Sequence, residues 1–432
     1  MKKLTALLRG SMLLPVIFFS SCIKDHCTQT YSYFKPEYKT TDEVRANVKS
    51  NPPEDIQQPG KIYIRGNYIF LNELDKGIHI IDNSNPSAPR NVAFINIPGN
   101  MDLAVRGNTL YADAYTDLVA LDISDPLRVK PTKFISGVFP FRQYYGMFYP
   151  DTCRVIVDWV KRDTVVSMDC GDGGFFGVKF DKHNVLMSSD LIFAAAYTNS
   201  GNLSLSTPAS VSSPFGVGGS MARFAILNDY LYSVTTNDLN VFGISAPPDP
   251  EFSNMINVGM NIETIYPFRN KLFIGSSNGM FIYDATNGKN PSAEGQFAHT
   301  RSCDPVIADG KYAYVTLRSG NQCMGFTNQL EILDISDLKN PSLIGTYPLT
   351  NPRGLSKDGN LLFICDGSDG LKIFDATDVN HLQLINTIPG METFDVIAWN
   401  HIALVVANGG IYQYDYSDPN NIRLMSKIEV KQ

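Results

Sequence analysis

The sequence is short of charge. Of its 432 residues 18% are Asp, Glu, Lys or Arg, below the usual quarter, which suits many short buried strands better than a charged, helix-clad surface. The charge that is present leans acidic, with 43 carboxylates against 36 basic side chains and no basic stripe. That balance disfavours counterion-driven binding, so nucleic acid is not an expected partner. Histidine is scarce, with six in the chain, and no C-x-x-C pair occurs among the seven cysteines. We therefore expect no structural zinc, no other metal and no cofactor. No G-x-S-x-G stands between a strand and a helix, and no glycine loop opens a helix around a phosphate. No catalytic residue is assigned. Beyond the amino-terminal segment no run places apolar residues at i, i+3, i+4 and i+7 over a dozen positions, which argues against helical repeats.

Long apolar runs are also missing. The apolar stretch 12–19 is too short to cross a bilayer as a helix. Lys2, Lys3 and Arg9 precede it, and Ser20, Ser21 and Cys22 follow, so residues 1–21 read as a secretory signal removed on maturation. The Ser-Ser-Cys ending resembles a bacterial lipobox, with Phe19 where Leu is usual. On that reading Cys22 is lipidated, and acyl chains contributing about 0.8 kcal/mol per buried CH₂ hold the protein to a membrane. Residues 22–56 are polar and read as a tether. Tyr31, Tyr33 and Phe34 are its exception, either packing as an extra strand or touching a partner.

What the chain has in quantity is one short unit. The stretch 330–341, LEILDISDLKNP, combines a buried strand with a turn in which Asp and Ser can bond nearby backbone N–H groups. Near-copies place the same aspartate at Asp82, Asp122, Asp284, Asp375 and Asp415, and a seventh copy has Gly243 there. Each is preceded by a tight turn and an aromatic-rich strand, as in Gly107-Asn108-Thr109-Leu110-Tyr111. Such turns mark hairpins. A period of about 40–45 residues is that of a four-stranded propeller blade. The repeated pattern seen in LVALDISDP and LEILDISDLKNP resembles the LVIVD-repeat proteins. That resemblance implies a propeller and an envelope address, and supplies no catalytic residue.

Residues 57–432 are thus expected to form an all-β, seven-bladed β-propeller. An eighth blade is the alternative, because the gap between Asp122 and Gly243 is nearly three periods. We read the region of about 136–220 as an insertion instead: a hairpin over 153–170 turning at Val160-Lys161-Arg162-Asp163, followed by a Gly/Ser-rich loop. Insertions in repeat folds tend to fall on a binding face. Export would favour disulfides, with Cys153 to Cys170 and Cys303 to Cys323 as the expected pairs and Cys365 as a buried free thiol.

Counting five to seven residues back from each tight turn locates the start of each blade's innermost strand. The positions are Lys61, Asp102, Arg223, Glu263, Asp304 and Arg353, with Phe394 and Asp395 in the last repeat. A packing position should repeat, and these do not. They form either a charged funnel for a polar ligand or a ring of charges neutralising one another around a water-filled hole. Asp366-Gly367-Ser368-Asp369-Gly370 starts like a calcium loop but lacks the later ligands, and reads as a turn. The expected function is that of a non-enzymatic outer-membrane lipoprotein presenting a propeller face to an envelope or extracellular protein, peptide or glycan. The alternative is a hydrolase or lyase acting on a polymer at the channel mouth, with Asp102, Glu263 and Asp304 as acids or bases and Arg223 and Arg353 as anion binders. Arg301 and Arg318 flank the Cys303 segment, with Arg353 one repeat on; they either pair with an anionic group on a partner or, by default, are solvated at the surface.

Overall fold

The computed structural model describes residues 26–142, 154–169, 217–299, 305–319 and 327–431. Seven sheets stand in a ring, at 59–96, 103–135, 224–257, 262–298, 306–348, 355–388 and 393–429. We number them blades 1 to 7. Within each, four consecutive antiparallel strands run from A, innermost, to D at the rim. In blade 2 these are Leu103–Arg106, Thr109–Ala114, Asp117–Asp122 and Lys130–Ile135. The described residues hold no eighth blade.

Each blade is shaped by its own repeat. At the A–B hairpin Gly66, Gly107, Gly310 and Gly359 have φ between 55° and 61°, a region that costs a residue with a Cβ about 1–2 kcal/mol. Asn228, Arg269 and Asn400 take the same place in the other blades with φ of 54°, 55° and 50°. After strand C, Asp82, Asp122, Asp284, Asp334, Asp375 and Asp415 each accept the backbone N–H two residues on at 2.8–3.0 Å. Bonds from the following Ser or Thr hydroxyl and N–H hold these carboxyls below their usual range. The aspartates are turn caps, as their spacing suggested.

Neighbouring blades share apolar cores, and the contacts run round the ring. One cluster joins blades 1 to 3, another blades 4 to 6, and smaller ones join 3 to 4 and 6 to 7. Ile62, Ile69 and Ile81 of blade 1 pack with Ile397, Leu404 and Ile411 of blade 7 and close the circle. No sheet is shared between the two ends of the ring. Asn83 and Gln413 instead exchange side-chain amide bonds at 2.7 and 3.0 Å, and Ser426 Oγ donates to the Pro86 carbonyl at 2.6 Å.

Two sequence expectations change here. Residues 154–169 do not fold back on themselves; they run as one strand, Arg154–Asp169, antiparallel to His26–Thr40. Residues 160–163 contain neither Gly nor Asn to make a tight turn, and the supposed tether supplies the matching strand. The tether region also holds a helix, Thr41–Ala46, started by a capping box between Thr40 and Glu43. Beyond it, strand Lys49–Asn51 pairs with the rim strand of blade 1. Cys22, Cys153, Cys170, Cys303, Cys323 and Asp304 lie outside the described residues. Cys365 is a buried free thiol.

Candidate functional site at the upper channel mouth

Antiparallel order divides the connections between two faces. A–B hairpins and C–D turns emerge on one, here the lower face; B–C loops and D–A links emerge on the other, the upper face. The lower face repeats the same turn chemistry in blade after blade. The upper face carries what does not repeat: the helix, the base of the two-stranded ribbon, residues 136–142 and the varied charges. Arg45 on the helix holds Asp117, at the start of strand C in blade 2, and Val44 packs with Tyr115 and Val155.

The channel is not an open hole. Val217 and Gly218 pair with Ile64 and Tyr63 on the inner edge of blade 1. Ser220 Oγ accepts the Leu355 N–H of blade 6 at 2.7 Å and lies 3.5 Å from Asp395 Oδ1 of blade 7. The Ala222 carbonyl accepts the Ile265 N–H of blade 4 at 2.7 Å. Residues 217–223 therefore cross the axis and touch strands from opposite sides of the ring. Gly218, Ser220 and Ala222 are small enough to let backbone approach backbone there.

Around this segment Lys61, Asp102, Glu263, Arg353 and Asp395 are buried and Arg223 is half-buried. Lys61 and Asp102 form an ion pair at 2.8 Å between blades 1 and 2, with both side chains about 5% exposed. Asp102 also accepts the N–H groups of Leu103, Arg223 and Phe224 at 2.7, 2.6 and 3.1 Å, so one carboxylate ties three blades. Burial lowers the pKa of the Lys61 amine, opposed by Asp102. Across the axis stand Glu263, Arg353 and Asp395, all buried. Arg353 holds Glu392 at 2.6 Å and lies over the Phe394 ring at 4.5 Å. The selected residues thus fall into two groups, Lys61, Asp102 and Arg223 by blades 1 to 3, and Glu263, Arg353 and Asp395 by blades 4, 6 and 7.

Sequence counting missed the groups that come from outside strand A. Asp113, at the end of strand B, accepts the Met101 and Asp102 N–H groups at 2.8 Å, and burial pushes its carboxyl up to about 6. Arg142 reaches the Gly99 carbonyl at 2.7 Å and sits over Tyr115. These groups line a cleft with Asp102, Phe139 and Arg223 of about 30 Å³, room for one or two water molecules. Arg318, directly after strand B of blade 5, is a further buried cation. It is not solvated at the surface, and its charge stands out by position: the equivalents are Leu74, Tyr115, Thr235, Ser277, Asp366 and Asn408. Asp366 explains itself. It is fully buried, accepts the N–H groups of Thr350 and Asn351, and shares the Lys372 ammonium with Asp369, so a lysine stands where a calcium loop would hold its ion.

Comparison with known proteins adds to the fold. A family model for the LVIVD repeat matches residues 59–94, 99–128 and 301–348, which lie in blades 1, 2 and 5. No curated protein matches the chain in sequence. Among solved structures it is similar to the computationally designed Ika8 protein, at 9% identity over 88% of this chain and 91% of that one, with a TM-score of 0.50. Saccharomyces cerevisiae Sqt1 aligns at 7% identity over 87% of each chain with a TM-score of 0.49. A functionally unknown protein from Desulfotomaculum acetoxidans aligns at 12% identity over 86% of this chain and 96% of that one, with a TM-score of 0.47. At these identities the likeness concerns the fold alone. The chain carries LVIVD repeats and folds as a seven-bladed β-propeller.

Proposed function

We propose that this protein is a non-enzymatic binding module that engages a protein, peptide or glycan through its upper face, and that it is held in the bacterial envelope, at the outer membrane, by a lipid on Cys22. The observation that carries this reading is the gathering of the helix, the ribbon's base, residues 136–142 and the varied charges on one face of an otherwise repetitive ring. A face that only packed would have no reason to depart from the repeat. Phe141, 47% exposed, and Met260, 68% exposed, are large apolar side chains on upper-face links, where a partner would bury them.

Two features favour binding over catalysis. Asp102 and Asp113, the carboxylates that line the cleft, enclose room for water and not for a polymer. Asp102 is already committed to Lys61 and three N–H groups. The test is a paired one. Phe141→Ser with Met260→Ser should abolish retention of partners cross-linked in intact cells, while Leu343→Ser with Leu384→Ser, on exposed rim positions, should leave it intact. Equal retention by both doubles would remove the upper face from the reading. Labelling with palmitate, lost in Cys22→Ser, checks the anchor separately.

A further inference from the structure

Arg318 and Arg353 are an unusual pair. Each is 8% exposed, Arg318 on the B–C loop of blade 5 and Arg353 on the link into blade 6. Buried guanidinium groups are normally matched by carboxylates, because an uncompensated charge in a poorly solvated place is costly. Arg353 is matched on one side only: one Nη holds Glu392, and its buried Nε has no hydrogen-bond partner. Arg318 makes no hydrogen bond and no ion pair among the described residues. Burial and the neighbouring Arg353 charge lower its pKa to about 10, against a weaker pull from Glu263 and Glu392.

The pair is also held in place. The Arg353 N–H donates to the Cys365 carbonyl at 2.7 Å, its carbonyl accepts Thr316 Oγ1 at 2.7 Å, and its guanidinium lies against Phe394. Thr316 is two residues before Arg318 and fully buried, so the same contact that fixes Arg353 ties it to the strand that ends just before Arg318. Glu392, at the rim of the group, has a side chain 40% exposed, so the pair opens toward solvent on that side. Two rigid cations with donor capacity unspent are suited to a group with two or three acceptor oxygens.

We infer that Arg318 and Arg353 form a binding site for a single oxyanion group, a carboxylate, sulfate or phosphate, carried by whatever docks on the upper face. The inference rests on the binding-face reading for the ligand's source and not for the site itself. An oxyanion between the guanidinium groups takes up the free Arg353 Nε–H and the Arg318 donors, and relieves the repulsion between the two cations. Glu263 and Glu392 limit the charge that is welcome, which favours one anionic group over a polyanionic cluster.

The experiment is calorimetric titration of the full-length protein with sodium sulfate, inorganic phosphate and acetate, each at constant ionic strength against chloride. The expected result is one saturable site for at least one of the three, weakened about tenfold or more by Arg318→Gln, the loss of one charge-assisted interaction of about 1.4 kcal/mol or more. Without added oxyanion, R318Q should melt no lower than wild type, because it removes a buried cation that has no ion-pair partner among the described residues. A structural arginine would give the opposite. Should R318Q fail to fold, Arg353→Lys keeps the charge, removes the Nε donor and must weaken the same anion. Saturable binding of none of the three anions, or affinity unchanged in these variants, overturns the site. Anion binding without partner retention would uphold the site and defeat the binding-face reading.

Discussion

The lower face and the upper face of this ring are made by the same strands and obey different rules. On the lower face the same problem recurs seven times, and the answers are nearly interchangeable: a left-handed residue at the hairpin, an aspartate capping the turn. On the upper face no two blades agree. Asp102 ties three blades, Arg353 stacks on Phe394, and Asp366 is neutralised by a lysine. The difference shows where selection acted on packing and where it acted on something else. Repeated positions need only local chemistry, whereas unique positions depend on partners from other blades.

The contrast can be broken most directly at Lys61. Lys61→Met leaves Asp102 with its N–H donors but without its ion-pair partner, and should cost about 3 kcal/mol or more in denaturant unfolding. A cost below about 1 kcal/mol would show that the channel charges are not mutually dependent.

The pH profile gives a second test. The folded pKa of Asp113 is raised to about 6, chiefly by burial, so the folded state favours the protonated form. Its contribution is most favourable below the unfolded value near 4 and is lost as pH rises through 6. Asp113→Asn can still accept the Met101 and Asp102 N–H groups. We expect it to match wild type toward pH 4 and to be more stable above pH 6, read from unfolding midpoints across that range. A constant difference between the two proteins would contradict the assignment.

Lower-face changes should be smaller and alike. Asp82→Ala and Asp334→Ala should each lower the unfolding midpoint, through loss of a side-chain cap, and differ little from each other. Gly243→Asp would install the missing cap in blade 3, where a Cβ meets only ordinary contacts, and should add about 0.5 kcal/mol or more. Arg269→Gly should relieve a φ of 55°, with a gain of up to about 1 kcal/mol offset in part by Gly's greater unfolded-state freedom. Thermal unfolding of the variants side by side checks all four.

The same division explains how much could be read in advance. Blade count, strand order and the capping role of the aspartates were legible because each is a local pattern repeated at a fixed interval. The pairing of 154–169 with 26–40 was not, since partners more than a hundred residues apart leave no mark on each other's alternation; the missing turn residue at 160–163 was the available clue. Nor was the crossing of the channel by 217–223 legible. Its Gly-Gly-Ser sequence reads as a loop, and only the ring shows that small residues are what the axis admits. Strand-A counting names seven charged positions; six of them are described, and they stand in two groups rather than one ring. It missed Asp113 and Arg142, because they enter from strand B and from the insertion; Arg318 was legible only from its place beside the Cys303 segment, and its burial was not.

The central claim, that the upper face is the working face, is tested by hydroxyl-radical footprinting of the protein recovered with its cross-linked partner against the free protein. The account predicts protection within 41–46, 136–142, 258–261 and 350–353, with the turns at 82–89 and 334–341 as reactive as before. Protection of those turns with the upper face unchanged would contradict it.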